Sequence, residues 1–288
     1  MKYLNLILTL ILVSSCCASN EIAQNSTSVS ETPEANTVQL VEVVSGTLNE
    51  DELEVTPTLE PIPENGTLQM TSVSEAFDHS AWNNLLKSYV DDKGLVNYKA
   101  FKNDPSDLRN YITALGTNMP NDRWTKADKL AYWINAYNAL TVDLIIRNYP
   151  LNSIKDIKNP WDQRLWKLGD KWYNLDEIEH QILRKMDEPR IHFGIVCASY
   201  SCPRLLNEAY TASNLDAQLN KVTQEFLADT NRNIIEENEV NLSKIFQWFS
   251  KDFKSEGSVI DFINQYTSIR VSAKAKIKYM DYNWDLNE

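Results

Sequence analysis

Two cysteines separated by four residues, Cys197 and Cys202, are the part of this sequence best suited to chemistry. A thiolate is a strong nucleophile, so either cysteine is a candidate catalytic residue when a histidine takes its proton. In an oxidising compartment the same pair is also suited to a disulfide, and together with His192 it is a candidate zinc site. The spacing alone leaves these three alternatives open.

Glu179 and His180 lie on a predicted helix, 176–186, whose apolar positions define its buried face. On a helical wheel Glu179 falls inside the apolar arc, and His180 lies just beyond its edge. A buried, ionised carboxylate needs a cation or several hydrogen-bond donors, and without them its pKa rises. Glu179 therefore either forms a structural ion pair with Arg190 or orients His180 beside a thiol.

The segment 190–197 has the apolar pattern of a central strand that ends at Cys197. Because side chains alternate along a strand, His192 and Cys197 are expected on opposite faces. His180 is then the better base for Cys197, unless Gly194 permits a bulge. The candidate catalytic residues are Cys197, His180, Glu179, His192 and Cys202.

A long helix that carries two asparagines is predicted from Thr125 to about Asn148. Thr125 and Asp128 form a capping-box pattern at its start, and the apolar residues that follow predict burial on nearly every side. Asn135 and Asn138 lie on one flank of this helix. A buried amide without a partner costs about 1 to 3 kcal/mol, so both amides should be paired. Their partners are either neighbouring loops or a substrate, and we carry both as candidate substrate-binding residues.

The composition excludes several classes of protein. The chain has only 7 glycines and no Gly-x-Gly, so the phosphate-binding loops of common nucleotide enzymes are missing. Three histidines and no His-Glu-x-x-His argue against a histidine-rich metal centre, and no cofactor is expected. The net charge is -12, of which residues 20–75 carry -11, and the remaining domain is nearly neutral. Without a basic excess, nucleic acid is not an expected partner.

The N-terminus predicts export and lipid attachment. Residues 1–15 contain an apolar run that is too short to span a bilayer, which is typical of a signal peptide. The run ends in Ser-Ser before Cys16, a pattern that resembles the bacterial lipobox, so Cys16 is the predicted lipidation site. Residues 16–75 are acidic, lack aromatic side chains and predict a disordered tether. We therefore expect a domain, 76–288, anchored to the cell envelope by a lipid, in the periplasm or at the outer membrane.

Within this domain helices outnumber strands. Short strands are predicted in a hairpin at 165–173, in a second hairpin at 231–242 and at 277–284. The further predicted helices are 80–90, 105–115, 211–228, 243–253 and 258–266. The order lacks the regular strand–helix alternation of a parallel sheet. The predicted fold class is α+β: one helix-rich domain packed around a small, mostly antiparallel sheet.

Several motifs between residues 77 and 253 together resemble the bacterial and plant family called domain of unknown function 547. They include Asp78-His79-Ser80-x-Trp82, Tyr132-Trp133-Ile134-Asn135-Ala136-Tyr137-Asn138, Leu175-Asp176-Glu177-Ile178-Glu179-His180, Arg190-Ile191-His192-Phe193 and Cys197-Ala198-Ser199-x-Ser201-Cys202-Pro203. The resemblance identifies the domain but implies no activity.

Two functions follow from these residues. The first is a thiol hydrolase acting on a peptide or amide bond, with Cys197 or Cys202 as nucleophile and a histidine as base. Such a site on an α+β scaffold would be similar to papain-like or transglutaminase-like enzymes, although their cysteine at the start of the central helix is absent here. The second is a peptide- or glycan-binding module with a structural disulfide.

Overall fold

The computed structural model describes residues 76–255 and 257–288, which lie in one compact unit. The predicted signal peptide, the predicted lipidation site Cys16 and the predicted tether lie outside the described residues. None of the helices in the described part is long and apolar enough to cross a membrane.

The longest helix, α4, has the start that the sequence predicts. Thr125 caps it by accepting a hydrogen bond from the N–H of Asp128, whose carboxylate accepts the N–H of Thr125 in return. The side chains from Leu130 to Ile146 are buried. This helix therefore forms the centre of the core. The α-helices of the described residues are α1 (Ser80–Tyr89), α2 (Tyr98–Asn103), α3 (Ser106–Thr117), α4 (Lys126–Asn148), α5 (Leu175–Glu177), α6 (Ile191–Gly194), α7 (Leu215–Ala228), α8 (Ile245–Trp248) and α9 (Val259–Tyr266).

The strands of the described residues form two small sheets. In one, β1 and β2 make an antiparallel hairpin around the turn Gly169-Asp170, as predicted. In the other, β4 lies between β3, to which it is antiparallel, and β5, to which it is parallel. The architecture is the helix-rich α+β arrangement that the sequence predicts. The strands are β1 (Trp166–Leu168), β2 (Lys171–Tyr173), β3 (Ile234–Ile235), β4 (Glu239–Leu242) and β5 (Lys276–Tyr279).

The predicted strand at 190–197 is wrong. Residues Ile191–Gly194 form the helical turn α6, and the chain becomes extended only from Ile195. The side chain of Asn138 makes the hydrogen bonds that a neighbouring strand would make here. It donates to the carbonyl of Gly194 and accepts the N–H of Val196, both at 2.9 Å. The expected separation of His192 and Cys197 onto opposite faces therefore does not apply.

The predicted helix 176–186 forms, but it is irregular. Asn174 caps α5 by accepting the N–H of Glu177 at 2.8 Å. A π-helical turn, Ile178–Ile182, follows, and a 3-10 turn, Leu183–Lys185, ends the segment. Single π turns inside helices occur often at functional sites. This one carries Glu179 and His180.

Candidate active site

A cavity of about 330 Å³ opens between this irregular helix, the segment after α6, α8 and the C-terminal segment. A cavity of that size suits a small ligand or part of a peptide. All five candidate catalytic residues line it: Glu179, His180, His192, Cys197 and Cys202. The fold thus gathers residues from three separate parts of the chain.

The turn after Cys197 folds Cys202 back onto it. Ala198 has a φ of 61°, in the left-handed region that residues other than glycine rarely adopt. The N–H of Cys202 bonds to the carbonyl of Ser199 at 3.0 Å and closes the turn. The two sulfur atoms lie 2.7 Å apart, and both cysteines are free thiols. This separation is longer than a disulfide bond of about 2.05 Å and shorter than a usual contact between two sulfur atoms. The pair is therefore close enough to share a proton or to form a disulfide.

Cys202 receives three hydrogen bonds at its sulfur. Besides the thiol of Cys197, the backbone N–H of Cys197 donates at 3.1 Å and the hydroxyl of Tyr282 at 3.3 Å. Although burial opposes ionisation, these hydrogen bonds lower the pKa of Cys202 to about 6. The pKa of Cys197 is raised well above the usual range by the hydrogen bond that Cys197 makes to Cys202 and by burial. At neutral pH the pair therefore holds one proton, and Cys202 is the thiolate.

His192 is held by a carboxylate that the sequence analysis did not identify. Its Nε2 lies 2.9 Å from Oδ2 of Asp252, and its ring stacks on Phe249 with centroids 4.0 Å apart. Arg184 binds the same carboxylate through two nitrogens, at 2.6 and 2.8 Å. Burial opposes the charge of Asp252, but the hydrogen bonds from Arg184 and His192 hold its pKa well below the usual range.

An ionised carboxylate can only accept hydrogen bonds, so His192 carries its proton on Nε2 and its Nδ1 is the basic nitrogen. Within the described part of the chain, no hydrogen bond to that Nδ1 is present. Burial lowers the pKa of His192, which keeps the ring neutral at neutral pH. The residue therefore lines the cavity in the protonation state that a general base requires.

His180 uses both of its ring nitrogens. Nδ1 accepts a hydrogen bond from Arg184 at 2.8 Å, and Nε2 lies 3.5 Å from Oδ1 of Asp176. A strand at 190–197 would make His180 the better base, but residues Ile191–Gly194 form a helical turn instead. Its position lets His180 orient Arg184, while His192 keeps a nitrogen for chemistry.

Glu179 is 8% exposed and does not form the predicted ion pair with Arg190. Arg190 instead binds Glu188 and Asp216, both at 2.7 Å. One oxygen of Glu179 accepts the hydroxyl of Tyr137 at 3.0 Å. Burial raises the pKa of Glu179 to about 7. A carboxyl group that is partly protonated at neutral pH therefore faces the cavity beside the thiols.

Asn135 and Asn138 do not line the cavity. Asn135 donates to the carbonyl of Tyr210 at 2.7 Å and accepts its N–H at 3.0 Å. Asn138 pairs in the same way with the backbone around Ile195. Both amides therefore have the loop partners of the structural alternative, and Asn138 positions the segment that leads to Cys197.

Aromatic rings form one wall of the cavity. Tyr282 and Trp284, in the C-terminal segment, contact Trp248 of α8, and Trp284 also packs edge-on against Trp161. Bridges from Ser153 to Asp285 and from Ser199 to Leu286 hold the C-terminal segment in place. We call Trp161, Trp248, Tyr282 and Trp284 the aromatic wall. No local sequence pattern indicates this wall, because tertiary pairing brings the C-terminal segment here.

Among the described residues, no group of three or more His, Cys, Asp or Glu is arranged to hold a metal ion. The zinc alternative with His192, Cys197 and Cys202 is therefore not formed. The arrangement suits thiol chemistry: a stabilised thiolate, a histidine anchored by an aspartate and a carboxyl group with a raised pKa.

Comparisons with curated proteins and with solved structures give no match. Residues 121–227 match a family model described as "Protein of unknown function, DUF547". The match is shorter than the resemblance between residues 77 and 253 had predicted, but it contains α4, Glu179, His192 and both cysteines. It supports the relationship of this part of the chain to that uncharacterised family.

Proposed function

We propose that the protein is a thiol-dependent hydrolase of peptide or amide bonds, with Cys202 as its nucleophile. The observation that carries this proposal is the set of three hydrogen bonds to the Cys202 sulfur inside the cavity. They stabilise a thiolate at neutral pH, and the thiolate is the reactive form of cysteine.

In the first step the Cys202 thiolate attacks the carbonyl carbon of the substrate. The carbon–nitrogen bond breaks, and the leaving amine takes a proton from Glu179. A pKa of about 7 leaves a substantial protonated fraction of Glu179 at neutral pH, as a general acid requires. The product of this step is a thioester on Cys202 and an ionised Glu179.

In the second step His192 takes a proton from a water molecule, which attacks the thioester. The carbon–sulfur bond breaks, the acid leaves and the Cys202 thiolate returns. The imidazolium of His192 passes its proton to Glu179, which restores the starting state. Asp252 stabilises the imidazolium, as the aspartate of a catalytic triad does.

This scheme differs from a Cys–His pair in what ionises the thiol. The two sulfur atoms contact each other, and their other described hydrogen-bond partners are the N–H of Cys197, the hydroxyl of Ser199 and the hydroxyl of Tyr282. None of these partners is a histidine. The hydrogen bonds from its neighbours thus favour the thiolate of Cys202 without a histidine, and His192 can act on water instead.

Acylation by p-nitrophenyl acetate tests the proposal on the full chain under reducing conditions. We expect a burst of one p-nitrophenolate per protein, an acetyl group on Cys202 by mass spectrometry, and loss of both in Cys202→Ser. A panel of peptidyl coumarin amides then tests amide cleavage. A burst that survives in Cys202→Ser, or acetylation elsewhere, would contradict the assignment.

The second candidate is a peptide- or glycan-binding module in which the two cysteines form a disulfide. The observation in its favour is the contact between the sulfurs, together with an aromatic wall whose Trp248 is 46% exposed. Titration of thiols in the unfolded protein, with and without reductant, separates the candidates. An oxidised pair that shows no acylation after mild reduction would favour the binding module.

A further inference from the structure

The cavity has acidic groups on its lining and no lysine or arginine among its described lining residues. Asp162 is exposed, Asp176 is half-buried and Glu179 is buried. The two histidines do not offset this charge, because burial lowers the pKa of both. The Cys202 thiolate adds a further negative charge. Arg184, which contacts His180, is paired with Asp252. Lys155 lies over the ring of Trp284. The lining itself is therefore acidic and suited to a cation.

The two outer carboxylates belong to one built rim. The N–H of Asp176 bonds to the carbonyl of Trp161 at 3.1 Å, and Asn174 donates to the carbonyl of Asp162 at 3.2 Å. These bonds fix the backbone that carries both acids next to the aromatic wall. Among the described hydrogen bonds, none engages the side chain of Asp162, so its carboxylate is available to a ligand.

The aromatic wall supplies a second, independent feature that favours a cation. The ring centroids of Trp248 and Tyr282 lie 4.9 Å from each other, and those of Tyr282 and Trp284 lie 4.7 Å apart. The ammonium group of Lys155 already lies 5.0 Å from the centre of the Trp284 ring. Such ring faces attract ammonium groups, and the attraction is stronger where water is excluded.

Glu179 supplies a third feature, an oxygen that can accept a hydrogen bond from an N–H group of a bound molecule. Its side chain is more than nine-tenths buried and lines the cavity. The hydroxyl of Tyr137 donates a hydrogen bond to one carboxylate oxygen of Glu179, and no described residue donates to the other oxygen. In the proposed reaction this oxygen meets the leaving amine, which places the scissile bond between Glu179 and the thiols.

We propose that the cavity selects substrates that carry an ammonium group, such as a lysine side chain, near the cleaved bond. Asp162 and Asp176 bind the ammonium group, and the aromatic wall packs around its methylene chain. This inference rests on the proposed function in taking the cavity as the substrate site and in placing the cleaved bond between Glu179 and the thiols.

Calorimetric titration of the Cys202→Ser protein tests the inference without any turnover. The probes are the N-acetylated amides of Gly-Lys-Gly, Gly-norleucine-Gly and Gly-Glu-Gly, which share an uncharged backbone and differ only in the central side chain. We expect the lysine peptide to bind at least about tenfold more tightly than the norleucine peptide. High salt should reduce the difference.

In the double variant Asp162→Asn/Asp176→Asn, made in the same background, the lysine and norleucine peptides should bind with nearly equal affinity, so that the ratio of their dissociation constants is close to one. Asp170→Asn, in the exposed β1–β2 turn, is the matched control and should leave it unchanged. Equal binding of the lysine and norleucine peptides, a preference for glutamate, or no binding of the lysine peptide would overturn the inference. Because no variant here turns over, failure of acylation in the wild type would leave this result intact.

Discussion

His192 and Asp252 are joined by a hydrogen bond of 2.9 Å across 60 residues of sequence. The bond ends in a buried imidazole, 3% exposed, and in a carboxylate that Arg184 holds ionised. It assigns the ring proton to Nε2 and leaves Nδ1 for catalysis. This relationship distinguishes His192 from His180, which has both nitrogens engaged.

Asp252→Asn should slow hydrolysis of the acetyl-enzyme about 100-fold, since it removes the charge that stabilises the imidazolium. The burst of acylation should change little, because the neighbours of Cys202 ionise it without help from a histidine. Stopped-flow measurement with p-nitrophenyl acetate separates the two phases. Asp281→Asn, on the surface, is the control. Equal losses in both phases would mean that Asp252 acts only on the fold.

Tyr282→Phe should raise the pKa of Cys202 by about one pH unit, because the thiolate loses a hydrogen-bond donor. The rate of alkylation by iodoacetamide, followed across pH with mass-spectrometric assignment, measures this value. In the wild type the rate should rise with a midpoint near 6, the pKa of Cys202. Tyr279→Phe, in β5, should leave the midpoint unchanged. An unchanged midpoint in Tyr282→Phe would remove this hydroxyl from thiolate stabilisation.

Glu179→Gln should become more stable than the wild type as the pH rises. Burial raises the pKa of Glu179 from its ordinary 4.5 to about 7, so the wild type progressively loses stability between these values. The full difference is about 3 kcal/mol in the free energy of unfolding. The glutamine can still accept the hydroxyl of Tyr137, and it does not ionise.

Urea unfolding at pH 4.5 and pH 8 measures this difference. Glu177→Gln is the control, since Arg164 and Lys171 pair with Glu177 and its pKa is lowered despite partial burial. A lowered pKa changes stability mainly below the ordinary 4.5, so that variant should be less stable than the wild type by nearly the same amount at both pH values. A Glu179→Gln protein that is strongly destabilised at pH 8 would make Glu179 a structural residue and leave the proposed general acid without support.

Cys16→Ala should abolish incorporation of a labelled fatty acid, because Cys16 directly follows the small residues that end the apolar run. Cys17→Ala is the matched control and should still be labelled. Metabolic labelling followed by purification of the protein gives the answer. Equal labelling of the wild type and Cys16→Ala would contradict lipid attachment at this residue.

The candidate site was predictable where its signal is local. Glu179 stands out as a carboxylate on an apolar helix face, and the two cysteines stand out by their spacing. The buried helix around Asn138 is equally visible, since its apolar residues and its capping box lie within one segment. These features place most of the reactive groups without any knowledge of tertiary contacts.

The partners of these groups were not predictable, because they come from distant segments. Asp252, Tyr282 and Trp284 lie in segments that have no periodic relation to the cysteines, and tertiary packing alone brings them to the cavity. The strand predicted at 190–197 failed for a related reason. Its apolar pattern matches a strand, but a side-chain amide from α4 supplies the hydrogen bonds that a neighbouring strand would have made.

Asn138→Ala should therefore destabilise the fold by about 3 kcal/mol, because it leaves the carbonyl of Gly194 and the N–H of Val196 buried without partners. It should also lower the reactivity of the thiols, since this segment leads directly into Cys197. Thermal and urea unfolding measure the first effect, and alkylation rates measure the second. Asn148→Ala, at the exposed end of the same helix, should change stability by less than about 0.5 kcal/mol. If Asn138 contacted substrate instead, its alanine variant would keep its stability and weaken only substrate binding.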